Sequence, residues 1–136
     1  MYYHKSNFDL YIGPSEIPNA GLGVFTRNSI PSGTYIDDYY GELVEYICPG
    51  EYSFQIEDTL FINAENLPRC YMAMLNDASY FPTSKRALKR FRPHGLMNNC
   101  VFRVNTKESR VCIYSIVDIL PDTELLVCYG DHYWID

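Results

Sequence analysis

Turn signals interrupt this 136-residue chain so often that only short strands can form between them. Glycine, proline, asparagine and aspartate pairs recur along the chain, as at Gly13-Pro14, Pro49-Gly50 and Pro121-Asp122. The runs between these turns are rich in β-branched and aromatic residues, which favour strands. The predicted strands are Leu10–Ile12, Gly23–Thr26, Thr34–Asp38, Gly41–Tyr46, Ser53–Glu57, Leu60–Asn63, Val101–Asn105, Arg110–Ser115 and Leu125–Tyr129.

Only two segments have helical character. Leu67–Asn76 could place an apolar face inward, and Ser84–Phe91 begins with a capping serine and carries basic residues. Long helices do not alternate with the strands, so a doubly wound nucleotide-binding fold is excluded. The length suits one domain around one core. The sequence therefore predicts a single mostly-β domain of short strands and tight turns.

The cysteine pattern and the lack of long apolar runs both indicate an intracellular protein. Five cysteines form no C-x-x-C pair, and reduced thiols packed as small hydrophobic residues are the best interpretation. No metal site is predicted, because structural zinc usually takes closely spaced ligand pairs. No apolar run approaches the roughly 20 residues that span a bilayer. No apolar signal core follows Met1-Tyr2-Tyr3-His4-Lys5.

The net charge of −6 is unevenly distributed along the chain. Five positive charges fall within Lys85–Arg92, whereas the interval from Asn28 through Pro68 has no Lys or Arg. An acidic surface attracts basic peptides and repels nucleic acid, although the same charges also suit an ordinary soluble surface. The basic cluster is either a solvated helix face or a contact for nucleic-acid phosphate or an acidic partner. The acidic interval contains Asp37, Asp38, Glu42, Glu45, Glu51, Glu57, Asp58 and Glu65.

Two motifs near opposite ends of the chain have the make-up of a binding site. Gly21-Leu22-Gly23 pairs two glycines, which would let backbone approach a ligand closely, although a plain glycine-rich turn has the same residues. The stretch from Glu124 is an apolar run that breaks at a glycine and closes on aromatic residues. Tyr129, Tyr133 and Trp134 combine apolar bodies with polar groups, which is typical of a narrow aromatic-lined site.

Taken in order, seven short motifs resemble the SET domain family of protein-lysine methyltransferases. Some differ from the family pattern by a residue, since Asp38 stands for Glu and Asn63 for Asp. The matches are Gly21–Phe25 to G-x-G, Asp38–Glu42 to E-Y-x-G-E, Tyr52–Phe54 to Y-x-F, Ile62–Ala64 to I-D-A, Asn76–Ala78 to N-H-S, Asn99–Cys100 to P-N-C, and Leu125–Trp134 to the carboxy-terminal strand with Y-G-D.

This resemblance implies the SET fold, with several small curved sheets, short helices and a carboxy-terminal knot-like crossing. It covers residues 8–136 as one domain, with an insertion at about 79–97 and no pre-SET or post-SET zinc modules. A stand-alone core of this size is similar to the small viral members of the family. The resemblance also implies a basic protein substrate, plausibly a histone tail, and a nuclear or chromatin location. A homodimer that completes the channel is a further expectation.

The resemblance assigns a cofactor and a role to individual residues. Tyr129 is implied as the catalytic residue, in contact with S-adenosyl-L-methionine. Asn76 would face the methionyl part of this cofactor, and the backbone of Asp77 would meet its adenine. The implied cofactor-binding residues are Gly21, Leu22, Gly23, Asn76, Asp77 and Tyr129, and the implied substrate-channel residues are Tyr52, Tyr133 and Trp134.

Three departures from the family pattern leave two hypotheses open. Asp77 and Ala78 replace the His and Ser of N-H-S, and Ala73 stands where the family usually has Arg. The PR branch of the family also lacks N-H-S, and it shares the phrase E-L-L-V-x-Y-G-D with Glu124–Asp131. The chain is then either an S-adenosylmethionine-dependent protein-lysine N-methyltransferase or a catalytically impaired SET-like module that binds a peptide or protein partner.

Overall fold

The computed structural model of the chain describes residues 8–45, 52–66, 69–78 and 95–128. These residues form short strands and a single turn of 3-10 helix at Tyr71–Met74. No helix in these ranges is long and apolar enough to cross a membrane. The strands are β1 (Leu10–Pro14), β2 (Leu22–Thr26), β3 (Tyr35–Asp38), β4 (Glu42–Val44), β5 (Ser53–Glu57), β6 (Leu60–Asn63), β7 (Cys100–Asn105), β8 (Arg110–Ser115) and β9 (Thr123–Glu124).

The strands are arranged in three small antiparallel sheets of three strands each, in the orders β1-β2-β9, β3-β8-β7 and β4-β6-β5. In the first sheet, β2 is central and pairs Phe25 with Glu124 of β9. The second sheet is built on the β7–β8 hairpin, and its β3–β8 register shifts between Tyr35 and Asp37. This arrangement confirms the predicted mostly-β fold of several small sheets.

One core lies among the three sheets, since each sheet turns apolar residues toward it. Val24 of β2, Ile36 of β3 and Ile113 of β8 are completely buried. Phe54 and Phe102 meet edge to face across two sheets, with ring centroids 5.0 Å apart. Edge-to-face packing of this kind fixes the sheets relative to one another, which positions the loops that end on the core.

Most predicted strands agree with the structure, but the last one does not. The sequence predicts a strand at Leu125–Tyr129, whereas β9 is only Thr123–Glu124, and the chain leaves the sheet after the Leu125 N–H, which still donates to the Val24 carbonyl at 2.8 Å. Leu126 then forms a parallel bridge with Asn76, and Val127 forms one with Cys100. The segment 124–128 therefore passes between two other segments instead of pairing along one neighbour. Residues 129–136, the rest of the predicted crossing, lie outside the described residues.

The prediction of a helix at Leu67–Asn76 was wrong in extent. Cys70 has ψ 154 and gives no side-chain cap, and Leu75 has ψ 138, so the helical turn is confined to Tyr71–Met74. Asn76 needs extended backbone because its carbonyl accepts the Val127 N–H at 2.9 Å. The predicted helix Ser84–Phe91 lies outside the described residues, as does most of the predicted insertion.

The described cysteines are free thiols, and three of the four are buried as small hydrophobic residues. Cys70, Cys100 and Cys112 lie in the interior, and burial raises the pKa of the Cys100 thiol to about 12. Cys128 is exposed instead. Cys48 lies outside the described residues. The interpretation of the cysteines as packed thiols is thus confirmed for the buried three.

Candidate functional site around Gly23, Asn76 and Glu124

The glycine pair lies at the start of β2, where the sheet meets the segment from β9. Gly23 stands opposite Gly13 of β1 and faces the side chain of Glu124 from the other side. A Cβ added at Gly23 would collide with Oε2 of Glu124 and lie 2.9 Å from its Cδ and 3.3 Å from Nδ2 of Asn76. The second glycine is therefore required by a close approach of side chains within the protein.

Glu124 is a buried carboxylate that ties this region together. Its side chain is only 2% exposed. Oε2 accepts the Ser15 hydroxyl at 2.7 Å and Nδ2 of Asn76 at 3.2 Å, and Oε1 accepts the Glu16 N–H at 2.8 Å. Sequence reasoning assigned no role to this side chain. The available signal was a charged residue at the head of an apolar run, since burial of a charge requires compensating hydrogen bonds.

Asn76 is fixed between the glycine pair and the carboxy-terminal segment. Its Nδ2 donates to the Leu22 carbonyl at 2.9 Å as well as to Glu124. Its backbone carbonyl accepts from Val127. The structure therefore brings together Leu22, Gly23 and Asn76, which the resemblance assigned to one cofactor site. Gly21 precedes them with φ +76 and has open space where a Cβ would stand.

Asp77 occupies the position where the family pattern has His, and the structure accommodates it. Its side chain is 3% exposed and points inward. Oδ1 of Asp77 accepts from Nδ2 of Asn98 at 3.2 Å, and Oδ1 of Asn98 accepts the Ala78 N–H at 2.9 Å. Asn98 thus holds both residues that depart from N-H-S. Sequence reasoning did not identify this role of Asn98.

Tyr52 precedes β5 and is held by the loop that follows β6. Its N–H donates to the Glu65 carboxylate at 2.9 Å, and its carbonyl accepts the Ala64 N–H at 2.7 Å. The Arg69 guanidinium lies 3.7 Å from the centroid of the Tyr52 ring and donates to the Ala64 and Glu65 carbonyls. One face of the ring is therefore already occupied by a cation. Arg69 had not been singled out from the sequence.

The predicted catalytic tyrosine and two of the predicted channel residues follow the segment 124–128 in the chain. Tyr129, Tyr133 and Trp134 lie outside the described residues, and their roles stay predictions. The backbone that leads to them is firmly anchored, because Asn99 donates Nδ2 to the Glu124 carbonyl at 2.9 Å and accepts the Leu126 N–H at 2.8 Å. These hydrogen bonds fix the position of the backbone at Glu124 and Leu126, shortly before Tyr129 in the sequence.

The motif at Asp38 forms a separate polar cluster. Both carboxylate oxygens of Asp38 bind the Arg110 guanidinium, at 2.8 and 3.0 Å, and Oδ1 also accepts the Tyr35 hydroxyl at 2.6 Å. Burial works to raise the pKa of Asp38, but hydrogen bonds from Arg110, Tyr35 and Cys112 outweigh it and lower that pKa. Burial and the neighbouring carboxylate raise the pKa of Tyr35. This cluster joins β3 to β8, and the described contacts give it no link to Asn76.

Comparison with known proteins identifies the class. The SET domain model matches residues 21–130, so the chain belongs to the SET domain family. SET domains use S-adenosylmethionine as their cofactor, and SAH is the product that remains after the methyl group is transferred.

Two solved structures share the fold. KRYPTONITE in complex with mCHG DNA and SAH is similar with a TM-score of 0.70 and 19% sequence identity, over 94% of this chain and 25% of that chain. KRYPTONITE in complex with mCHH DNA, H3(1-15) peptide and SAH has a TM-score of 0.69 and 19% sequence identity, and the match covers 94% of this chain and 24% of that chain. This chain thus spans about a quarter of the length of the chains it matches.

Proposed function

We propose that this chain is an S-adenosylmethionine-dependent protein-lysine N-methyltransferase that acts on a basic, histone-like tail. The observation that carries the proposal is that, within a SET fold, Asn76 donates both to the Leu22 carbonyl and to the buried Glu124 carboxylate against which Gly23 packs. KRYPTONITE was solved with SAH and with an H3 peptide, which supports the same cofactor and substrate class here. A histone substrate would place the activity at chromatin.

The residues around Asn76 fit S-adenosylmethionine, which supplies an electrophilic methyl group when bound. Gly21 leaves open space in front of its backbone, and the Leu22 side chain is 53% exposed beside it. Asn76 donates from its side-chain amide to two protein acceptors, and no hydrogen bond among the described residues engages its side-chain oxygen, which can therefore accept from a ligand. The cofactor would be held by these residues, by Gly23, by the backbone of Asp77 and by Tyr129.

The surface charge of the described residues suits a basic substrate. Glu42, Glu45, Glu57 and Asp58 are exposed on or beside the β4-β6-β5 sheet, and such a surface attracts basic peptides. Asp37 and Asp38, which also belong to the acidic interval, are buried at 3% and 4% exposure and do not contribute to it. The electrostatic argument therefore rests on fewer residues than the sequence suggested.

The chemistry requires a neutral lysine aligned with the methyl group. Deprotonation at pH 7.4 of an amine with an ordinary pKa near 10.4 costs roughly 4 kcal/mol. A desolvated channel lowers that pKa, so a strong base is not needed at the transfer step. Tyr129 would align the amine by its hydroxyl, and Tyr52, Tyr133 and Trp134 would exclude water.

Lys85–Arg92 would contact nucleic acid or an acidic partner, and dimerisation would close the channel.

Calorimetry with S-adenosylmethionine, followed by transfer of labelled methyl groups to a panel of histone-tail peptides, tests the proposal. We expect the wild-type chain to bind the cofactor and to label lysine. The Tyr129→Phe variant keeps the ring that would contact the cofactor, so it should bind it with similar affinity but transfer at least about a hundredfold more slowly, as loss of an aligning hydroxyl predicts. Absence of binding at millimolar cofactor would contradict the proposal and favour a partner-binding module. Near-normal turnover by Tyr129→Phe would remove that residue from its role.

A further inference from the structure

Glu124 carries a buried negative charge that is balanced by neutral donors. Among the described residues, the salt bridges link Arg27 with Asp9 and Arg110 with Asp38 and Glu108, and none includes Glu124. The Ser15 hydroxyl, the Glu16 N–H and the Asn76 amide supply its hydrogen bonds. Such a group is costly to bury unless hydrogen bonds compensate it, so these three donors hold it in a fixed position.

The hydrogen bonds around Asn76 leave only one orientation for its amide. The Leu22 carbonyl and the Glu124 carboxylate are both acceptors, so the NH₂ group of Asn76 must face them. The carbonyl oxygen, on the other branch of the planar amide, then faces away from both. No hydrogen bond among the described residues engages this oxygen. It is an acceptor held in place on the side opposite the carboxylate.

We infer that Glu124 is a positioning residue that turns the Asn76 carbonyl oxygen toward the ammonium group of the bound cofactor. The inference rests on the proposed function, because it takes Asn76 as the residue that meets the amino-acid part of S-adenosylmethionine. That part carries an ammonium donor, which needs an acceptor. A neutral amide at position 124 would have only one acceptor oxygen, whereas three donors converge there.

The test compares S-adenosylmethionine with 5′-methylthioadenosine, which keeps the adenosine, has a neutral methyl thioether in place of the sulfonium, and lacks the amino-acid part. In Glu124→Gln, the amide at position 124 no longer offers two acceptor oxygens, so the Asn76 amide loses one of the two acceptors that fix its orientation and holds its carbonyl oxygen toward the ammonium less firmly. We expect affinity for S-adenosylmethionine to fall about tenfold, the scale of one lost hydrogen bond to a charged group. Affinity for 5′-methylthioadenosine should change less than about twofold.

Two further variants separate positioning from stability. Ser15→Ala removes another donor to the same carboxylate without touching Asn76, so it should lower the melting temperature but keep the affinity ratio of the two ligands. In an Asn76→Ala background, Glu124→Gln should have no further effect on the ratio. If Glu124→Gln does not fold, Glu124→Asp keeps the charge, shortens its reach, and should show the same selective loss.

Two outcomes would contradict the inference. Wild-type protein that binds neither ligand would overturn the proposed function and this inference together. If the wild type binds and the Glu124 variants lose affinity for both ligands equally, only the inference is overturned. A purely structural role of Glu124 predicts that equal loss.

Discussion

At the scale of single residues, Gly23 and Glu124 decide how closely β2 approaches the carboxy-terminal segment. Any side chain at position 23 would have to displace a carboxylate that three donors hold in place. The carboxylate is at the end of a flexible side chain, but it can move only by giving up those bonds. The glycine and the carboxylate therefore form one packing unit.

We predict that Gly23→Ala destabilises the protein by about 2 kcal/mol or more, the scale of hydrogen bonds lost from a buried charged group. Gly13→Ala is the matched control, because Gly13 is paired with Gly23 and its added Cβ would lie at an ordinary 3.4 Å from Phe25. Urea denaturation of both variants measures the difference. Equal stability of the two variants would contradict the prediction, because it would show that the Glu124 side chain can move without a cost in the free energy of unfolding.

Sequence reasoning identified Gly23 and Asn76 through a motif but assigned no role to the side chains that hold them. Asn98 and Glu124 act across 21 and 48 residues of sequence, on Asp77 and Asn76 respectively. A partner at that separation leaves no local pattern, since only the folded chain brings the two groups together. The aromatic-channel residues Tyr133 and Trp134 remain sequence predictions.

At the scale of elements, β3 is joined to β8 by Asp38 and Arg110 as well as by backbone pairing. The Asp38 side chain is 6% exposed, whereas that of Arg110 is 42% exposed and reaches solvent. Because hydrogen bonding lowers the folded-state pKa of Asp38, the ionised carboxylate stabilises the fold above its unfolded pKa near 3.8. That contribution is lost as the pH falls through the lower folded-state pKa.

We therefore predict that Asp38→Asn destabilises the protein at pH 7 by about 1–3 kcal/mol, the range for hydrogen bonds to charged groups. The difference from wild type should shrink as the pH falls below about 4. Glu108→Gln is the control, because Glu108 lies 3.7 Å from the same guanidinium but is 59% exposed, so it should cost less than about 1 kcal/mol. Denaturation curves from pH 7 to pH 3 measure both, and a pH-independent difference would contradict the assignment.

The elements best predicted from the sequence are those fixed by local pattern. β5, β6 and β8 match their predicted bounds because alternation and flanking turns specify them. The Leu125–Tyr129 prediction failed because an apolar run fits a buried crossing as well as a strand. The distinction depends on Asn99, whose side chain takes the place of a strand neighbour for the Glu124 carbonyl and the Leu126 N–H.

At the scale of the whole molecule, Asn99 links the segment 124–128 to the rest of the core. Leu125 and Val127 are completely buried in that segment. The backbone of Asn99 also donates to the Leu126 carbonyl at 2.9 Å. One buried asparagine thus bonds to three polar backbone groups of this segment, the carbonyls of Glu124 and Leu126 and the Leu126 N–H.

We predict that Asn99→Ala destabilises the whole domain by about 3 kcal/mol, because it leaves a buried N–H and a buried carbonyl without their partner. Asn105→Ala is the comparison, since the Asn105 side chain bonds to nearby Glu108 in an exposed turn and its loss should change stability by less than about 0.5 kcal/mol. Thermal unfolding followed by circular dichroism measures both. A loss confined to the carboxy-terminal segment, with the three sheets intact, would contradict this view.

The pairing of β2 with β9 has a consequence during synthesis. The ribosome makes Phe25 roughly a hundred residues before its partner Glu124, which at about 5–20 residues per second is a delay of roughly 5–20 seconds. Throughout that time one edge of β2 has no strand to pair with, and open edges invite pairing with other chains. That edge of β2 therefore stays open to pairing with other chains until β9 has been synthesised.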